Sequence, residues 1–187
     1  MQKFNGTTAL HLAASNGEKD LCDLLIQYKA RIDAFDNNMQ TPLHKAAQNG
    51  NSEISQFLID NGANLEKRDC DNFTPFLVAA SYGHVETIKI FLINNVNIEA
   101  IDRDDKSALF WAAQENNVAA LEILLKTHCA ECLMDMTDKS GDSPLHVAAS
   151  KGYIDIVNIL ISHKADTTLK NEDDSTPIHL AAASGHV

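Results

Sequence analysis

Thr41-Pro42-Leu43-His44-Lys45-Ala46-Ala47-Gln48-Asn49-Gly50 decides how this chain is read. Its opening tetrad returns as Thr8-Ala9-Leu10-His11, Thr74-Pro75-Phe76-Leu77, Ser107-Ala108-Leu109-Phe110, Ser143-Pro144-Leu145-His146 and Thr176-Pro177-Ile178-His179, at spacings of 33, 33, 33, 36 and 33 residues. Beyond each tetrad stands a small pair: Ala13-Ala14, Ala46-Ala47, Ala79-Ala80, Ala112-Ala113, Ala148-Ala149 and Ala181-Ala182. Gly17, Gly50, Gly83, Asn116, Gly152 or Gly185 then closes the segment.

Each part has a physical reason. Thr or Ser is a favoured helix N-cap, and Pro suits the next position, where no backbone donor is needed. The alanines leave one side of the helix without bulk, so a neighbouring helix can approach. Glycine ends it, because glycine takes the left-handed conformation without steric cost. Apolar residues at helical spacing then predict a second helix, through Leu21, Leu24 and Leu25, Ile54, Phe57 and Leu58, Ile88, Phe91 and Leu92, Leu121, Leu124 and Leu125, and Ile156, Ile159 and Leu160. Neither helix can bury its apolar face alone, whereas stacked units bury both. The polar stretches between units, such as Ala30-Arg31-Ile32-Asp33-Ala34-Phe35-Asp36-Asn37-Asn38, read as projecting hairpin loops.

The unit T-P-L-H-x-A-A-x-x-G, with two helices and a hairpin in 33 residues, resembles the ankyrin repeat over residues 6–187. The resemblance implies an all-α solenoid of stacked helix-turn-helix units with projecting β-hairpin loops, one array over 1–187. Its units are expected at 6–38, 39–71, 72–104, 105–140, 141–173 and a partial 174–187. Within that array, Leu133 to Ala149 is similar to the junction repeats of TRPA-type transient receptor potential cation channels.

Departures from the pattern carry expectations of their own. The chain opens at a hairpin tip and stops at Gly185-His186-Val187, where a second helix is due. Neither end shows a polar capping unit, so a segment of a longer array, incomplete at both ends, is expected. The fourth unit has Ser107-Ala108, Phe110 and Asn116 in place of Thr-Pro, His and Gly, and three extra residues within Cys129 to Met134. Loop drift and a hinge both fit that insertion. At the end of the second helix only Gly62 is a glycine, against Lys29, Asn95, His128 and Lys164.

Net charge of −11, from 15 Lys plus Arg and 26 Asp plus Glu, repels polyanions, so neither nucleic acid nor anionic lipid is expected as a partner. The apolar runs are far shorter than the ~20 residues of a membrane-spanning helix. No direct membrane contact is therefore expected from this segment, although its parent protein can be membrane-bound. Residues 1–17 lack the plan of a secretory signal. Four cysteines at irregular spacing give no disulfide framework, and a cytoplasmic setting fits.

His11, His44, His146 and His179 sit about a repeat apart and do not converge as metal ligands must, so each is expected to make structural hydrogen bonds at a helix start. His128, Cys129 and Cys132 supply half of a zinc or redox pattern with no second half nearby. Phosphate-loop, nucleophile-elbow and zinc-protease motifs are missing. The acidic groups Asp102, Asp104 and Asp105, and Glu172, Asp173 and Asp174, read as solvated turn residues, and Trp111 as core or groove lining. No catalytic residue, cofactor or metal is expected, and the chain is read as no enzyme.

Ankyrin resemblance implies that the hairpin tips and the two positions before each helix-ending glycine face a protein partner on a concave surface. Here these include Asp71, Phe73, Tyr82, Arg103, Asp104, Lys106, Gln48, Asn49, Gln114 and Glu115, with Asn37, Asn38, Gln40, Cys70, Ser81, Lys139, Ser140, Asp142, Ser150 and Lys151. Phe73, Tyr82 and Arg103 have the character of binding anchors. The function implied is a non-catalytic scaffold that binds another protein. The cytosolic array of a TRPA-type channel and an accessory domain of an enzyme are the alternatives.

Overall fold

The computed structural model describes residues 6–128 and 130–186. Among them are twelve helices: α1 (Ala9–Asn16), α2 (Lys19–Gln27), α3 (Pro42–Gln48), α4 (Ser52–Asp60), α5 (Pro75–Ser81), α6 (Val85–Ile93), α7 (Ala108–Gln114), α8 (Val118–Leu125), α9 (Ala130–Met134), α10 (Pro144–Lys151), α11 (Ile154–Ser162) and α12 (Pro177–Ala183). No β-strand is formed among the described residues, and the loops between helix pairs carry a single isolated antiparallel bridge, Ile101 to Ser107. The chain is organised as two compact units, one reaching Ala79 and including His84–Asn97, the other made of Ala80–Gly83 and everything from Ile98 onward.

The tetrads open the first helix of each pair as their chemistry requires. Thr8, Thr41 and Ser143 accept a hydrogen bond from the backbone N–H three residues on, and the histidine at that position bonds back to the cap. Where leucine or phenylalanine replaces histidine, the cap survives without the return bond: Thr74 accepts from the Leu77 N–H and Ser107 from the Phe110 N–H. The alanine pairs from Ala13-Ala14 to Ala148-Ala149 are buried, whereas Ala181 is half-buried and Ala182 exposed; α1 lies directly on α3 in the first unit and α10 on α7 and α12 in the second.

Glycine between the paired helices answers two needs. Gly50 has a φ of +69°, and a Cβ there would stand 2.6 Å from the His84 Nδ1. That space admits the His84 ring, whose Nε2 reaches the Gln48 carbonyl at 3.0 Å. Asn51 and Asn117 do likewise from beside Gly17 and Gly83, each donating its amide N–H to the last carbonyls of the neighbouring first helix.

Two expectations need correction. Leu21 and Leu24 are 39% and 50% exposed, whereas Ile54, the counterpart of Leu21, is 2% exposed. α4 has α2 against it, but among the described residues nothing stands on the corresponding side of α2. The second correction concerns His128. Lys29, Asn95 and Lys164 are left-handed at φ of 62°, 56° and 73°, with Gly62 at 90°, but His128 is not. After α8 the chain turns directly into α9, whose Leu133 and Met134 are buried. The described part of the insertion region thus holds a short helix with two core side chains.

Left-handed backbone costs a residue with a Cβ roughly 1–2 kcal/mol. Lys29→Gly and Lys164→Gly should each raise stability in urea by about 1 kcal/mol, less the extra entropy of the unfolded glycine. His128→Gly should bring no gain, and equal gains at all three positions would contradict this account of how the helices end.

The histidines also tie successive loops together. His44 Nδ1 accepts the Thr41 backbone N–H at 3.1 Å, so its proton sits on Nε2, which donates to the Phe73 carbonyl at 3.0 Å. His11 repeats this with Thr8 and the Gln40 carbonyl, and His146 with Ser143 and the Ser175 carbonyl. Burial, outweighing the nearby carbonyls and carboxylates, pushes His44 and His11 below the ordinary imidazole value of 6.5. The unfolded chain therefore takes up protons near 6.5 and the folded chain only at lower pH, so stability present above pH 6.5 is lost as pH falls through the folded values. Denaturant titrations from pH 7.5 to 5 should show that decline, and His44→Gln should flatten it while costing on the order of 2 kcal/mol at neutral pH.

Candidate partner-binding face

The loops between helix pairs are held by one recurring acceptor. Asp36 Oδ1 takes the backbone N–H groups of Asn38 and Gln40, both at 2.9 Å. Asp69 does the same for Asp71 and Phe73, Asp102 for Asp104 and Lys106, Asp138 for Ser140 and Asp142, and Asn171 for Asp173 and Ser175. Each loop is also closed by its own backbone bond, as from Asp36 N to Gln40 O and from Asp102 N to Lys106 O. Neighbouring tips are joined in turn, Cys70 N to Asn38 O in the first unit, Lys139 N to Asp104 O and Glu172 N to Ser140 O in the second. Tips fixed in this way lose little further freedom when something binds them.

This geometry corrects the reading of Asp102 as a solvated turn residue. It is 2% exposed, and its second oxygen accepts the indole N–H of Trp111 at 2.9 Å. Asp104 and Asp173, by contrast, are exposed. Asp36 is built the same way, but its second oxygen meets the Lys45 ammonium at 3.1 Å, in a pair whose side chains are only 4% and 19% exposed. Burial alone would raise the Asp36 carboxyl. The Gln40 N–H, Lys45 and the Asn38 N–H outweigh it and hold the group below the ordinary carboxylate value.

The residues expected to meet a partner fall as follows. Gln48 and Asn49, at the end of α3, line a cleft of about 350 Å³ with Leu12, Ser15 and Lys45 in the first unit. In the same unit Asp71 is exposed and Phe73 half-buried, its N–H and carbonyl both committed to the latch described above. Tyr82, Arg103, Asp104 and Glu115 are exposed in the second unit, with Tyr82 at 55%. Lys106 and Gln114 touch there, Nζ to Oε1 at 2.9 Å, and the Gln114 amide reaches Glu115. The structure thus brings together Gln48 with Asn49, and Lys106 with Gln114 and Glu115.

The roles of Asp36 and Asp102 in fixing Lys45 and Trp111 were missed from sequence. The signal was present, since Asp36, Asp69, Asp102, Asp138 and Asn171 each stand five places before a tetrad. Trp111 itself is half-buried.

No group of three or more His, Cys, Asp or Glu suited to a metal occurs among the described residues. Cys129 lies outside them. Cys132 is exposed on α9, and burial pushes the Cys22 thiol up to about 11, far from a thiolate. No described helix is long and apolar enough to cross a membrane.

Trp111→Phe keeps the ring and deletes the donor to a buried carboxylate. It should destabilise the chain by about 1–3 kcal/mol in urea, and by appreciably less when combined with Asp102→Asn. Additive losses would show that the indole bond carries no weight.

Comparison with known proteins places these features in context. A family model described as ankyrin repeats (3 copies) matches residues 1–69, 64–132 and 127–187. The ankyrin repeat domain of Bcl-3 superposes with a TM-score of 0.84 at 29% identity, covering 95% of this chain and 78% of that one. A chain from the complex of the predatory endopeptidase Bd0816 of Bdellovibrio bacteriovorus with immunity protein Bd3460 superposes with a TM-score of 0.85 at 26% identity, covering 96% and 93%. Among curated relatives, human transient receptor potential cation channel subfamily A member 1 is 49% identical over 51 residues, 26% of this chain and 5% of that protein. Its Caenorhabditis elegans homolog is 38% identical over 53 residues, 28% and 4%. Mouse protein phosphatase 1 regulatory subunit 12A is 47% identical over 47 residues, 25% and 5%. The chain spans about a twentieth of the length of these curated relatives.

Proposed function

The chain belongs to the ankyrin-repeat family, a protein-interaction fold, and from that premise we propose that it is a non-catalytic scaffold binding another protein across its loop tips and first helices. The repeat units given above, a concave binding face and a cytoplasmic setting belong to this proposal. The observation that supports it most is the locking of the tips. Asp36, Asp69, Asp102, Asp138 and Asn171 spend their side chains on the backbone, while the residues between them differ from loop to loop. A constant frame carrying variable side chains is suited to recognition, and its described part assembles no catalytic constellation.

A second reading is favoured by the two subfamily A channel relatives, namely that the segment is the cytosolic ankyrin region of such a channel. It keeps the same protein-binding face, and apolar stretches of ~20 residues elsewhere in the parent would mark it.

Phe73, Tyr82 and Arg103 are the expected anchors. With a partner isolated on the intact array, changing all three to alanine should weaken binding by about a hundred-fold in calorimetry, since aromatic and arginine anchors carry most of an interface's energy. Unchanged affinity would remove these residues from the interface.

A further inference from the structure

Lys106, just before α7, and Lys151, at the end of α10, have no ion-pair partner among the described residues, whereas Lys45 has one. In the first unit Lys45 is neutralised by the second oxygen of Asp36 and also donates to the Gln40 side chain. In the second unit Trp111 occupies the place of Lys45 in its repeat and Lys106 the place of Gln40. The neutral indole takes the second oxygen of Asp102. Lys106 is therefore left with the Gln114 Oε1 at 2.9 Å and the faces of Phe110 and Trp111, each centred 5.1 Å from its Nζ.

Lys151, from the next tetrad-bearing helix α10, arrives at the same residue. Its Nζ donates to the Gln114 main-chain carbonyl at 2.7 Å and lies 5.7 Å from the centre of the Tyr153 ring. Two ammonium groups thus meet one neutral residue, Lys106 at the Gln114 side chain and Lys151 at its main-chain carbonyl, and among the described residues neither is ion-paired. The carboxylates nearby are largely spoken for. Asp138 and Asp142 point into the turns, with Asp142 accepting from Asn171, and Glu115 accepts from Gln114. Asp104 is exposed at the tip and Asp105 half-buried beside it. In a chain of net charge −11, a pair of converging cations held between aromatic rings is out of keeping with the rest of the surface.

Resting on the protein-binding reading above, we propose that Lys106 and Lys151 receive a carboxylate side chain of the bound protein, so that the partner lays an acidic segment across α7 and α10. The carboxylate displaces the Gln114 side-chain oxygen from Lys106 and draws the Lys151 ammonium off the Gln114 main-chain carbonyl, beside the rings of Trp111 and Tyr153. Charge-assisted bonds to two fixed donors supply the specificity, and the surrounding acidity of the chain discourages acidic segments from settling anywhere else.

Trp111 is the only tryptophan, so its emission reports on this place. The 187-residue protein is titrated with the blocked peptide (Glu-Ser)6 and, separately, with (Gln-Ser)6. The acidic peptide should change Trp111 emission saturably, and the glutamine peptide should bind at least about ten-fold more weakly. Lys106→Gln with Lys151→Gln should weaken the acidic peptide by about ten-fold or more, Lys106→Arg should retain it, and Lys89→Gln on α6 should leave it within about two-fold. Equal binding of the two peptides, an unaffected double variant, or binding that leaves Trp111 emission unchanged overturns the assignment. So does a natural partner whose cross-linked footprint leaves Lys106 and Lys151 uncovered, an outcome that keeps the protein-binding reading intact. That reading fails separately, if the intact array retains no protein partner.

Discussion

One buried imidazole, bonded on both sides, is the interaction on which the rest of this structure depends. His44 caps the helix that contains it and, from its other nitrogen, fixes the loop that follows the next helix. A neutral ring with one acceptor and one donor nitrogen on opposite sides can join an N–H and a carbonyl that lie on two different segments. Because it does so while buried, it must stay neutral, and its Thr-x-x-His spacing must be kept. In its own unit the imidazole thus joins the capping of the helix to the position of the following loop, a link that the units with Leu77 and Phe110 do without.

Much of this was legible because repetition exposes it. Thr41 and His44 stand three apart, and the same pair returns at Thr8 and His11 and at Ser143 and His146, so a structural role for histidine followed from spacing alone. What escaped was chemistry in which the residue type is ordinary. An aspartate near a turn reads as solvated, and only coordinates show Asp102 turned inward against Trp111. Leu21 and Leu24 escaped for another reason: helical periodicity identifies an apolar face but does not say whether a neighbour covers it.

The glycine at the end of each first helix was read as a backbone device, and half of its purpose lay elsewhere. Gly50 and Gly83 leave room for His84 and Asn117, which occupy the same position in successive repeats. Where Asn116 replaces glycine and brings a Cβ, the residue in the corresponding place of the following repeat is Tyr153 rather than Asn or His. Asn116 still adopts a φ of 57°, so the turn is preserved while the side-chain latch is not. The insertion after α8 shows the same economy, because α9 contributes Leu133 and Met134 to the core instead of adding slack. A hinge at this place would have to expose them.

The comparison of Lys45 with Trp111 shows how such an array can change its surface without changing its fold. Both residues satisfy the same oxygen of the same loop aspartate, one as a cation and one as a neutral donor. The frame is indifferent to the exchange, because each side chain brings a single N–H to the carboxylate. The surface is not indifferent, since the exchange decides whether a cation or a neutral indole stands beside the loop aspartate. The charge of this surface is therefore set by residues one step removed from the exposed tips, where a substitution conserves the hydrogen bond and alters the charge beside it.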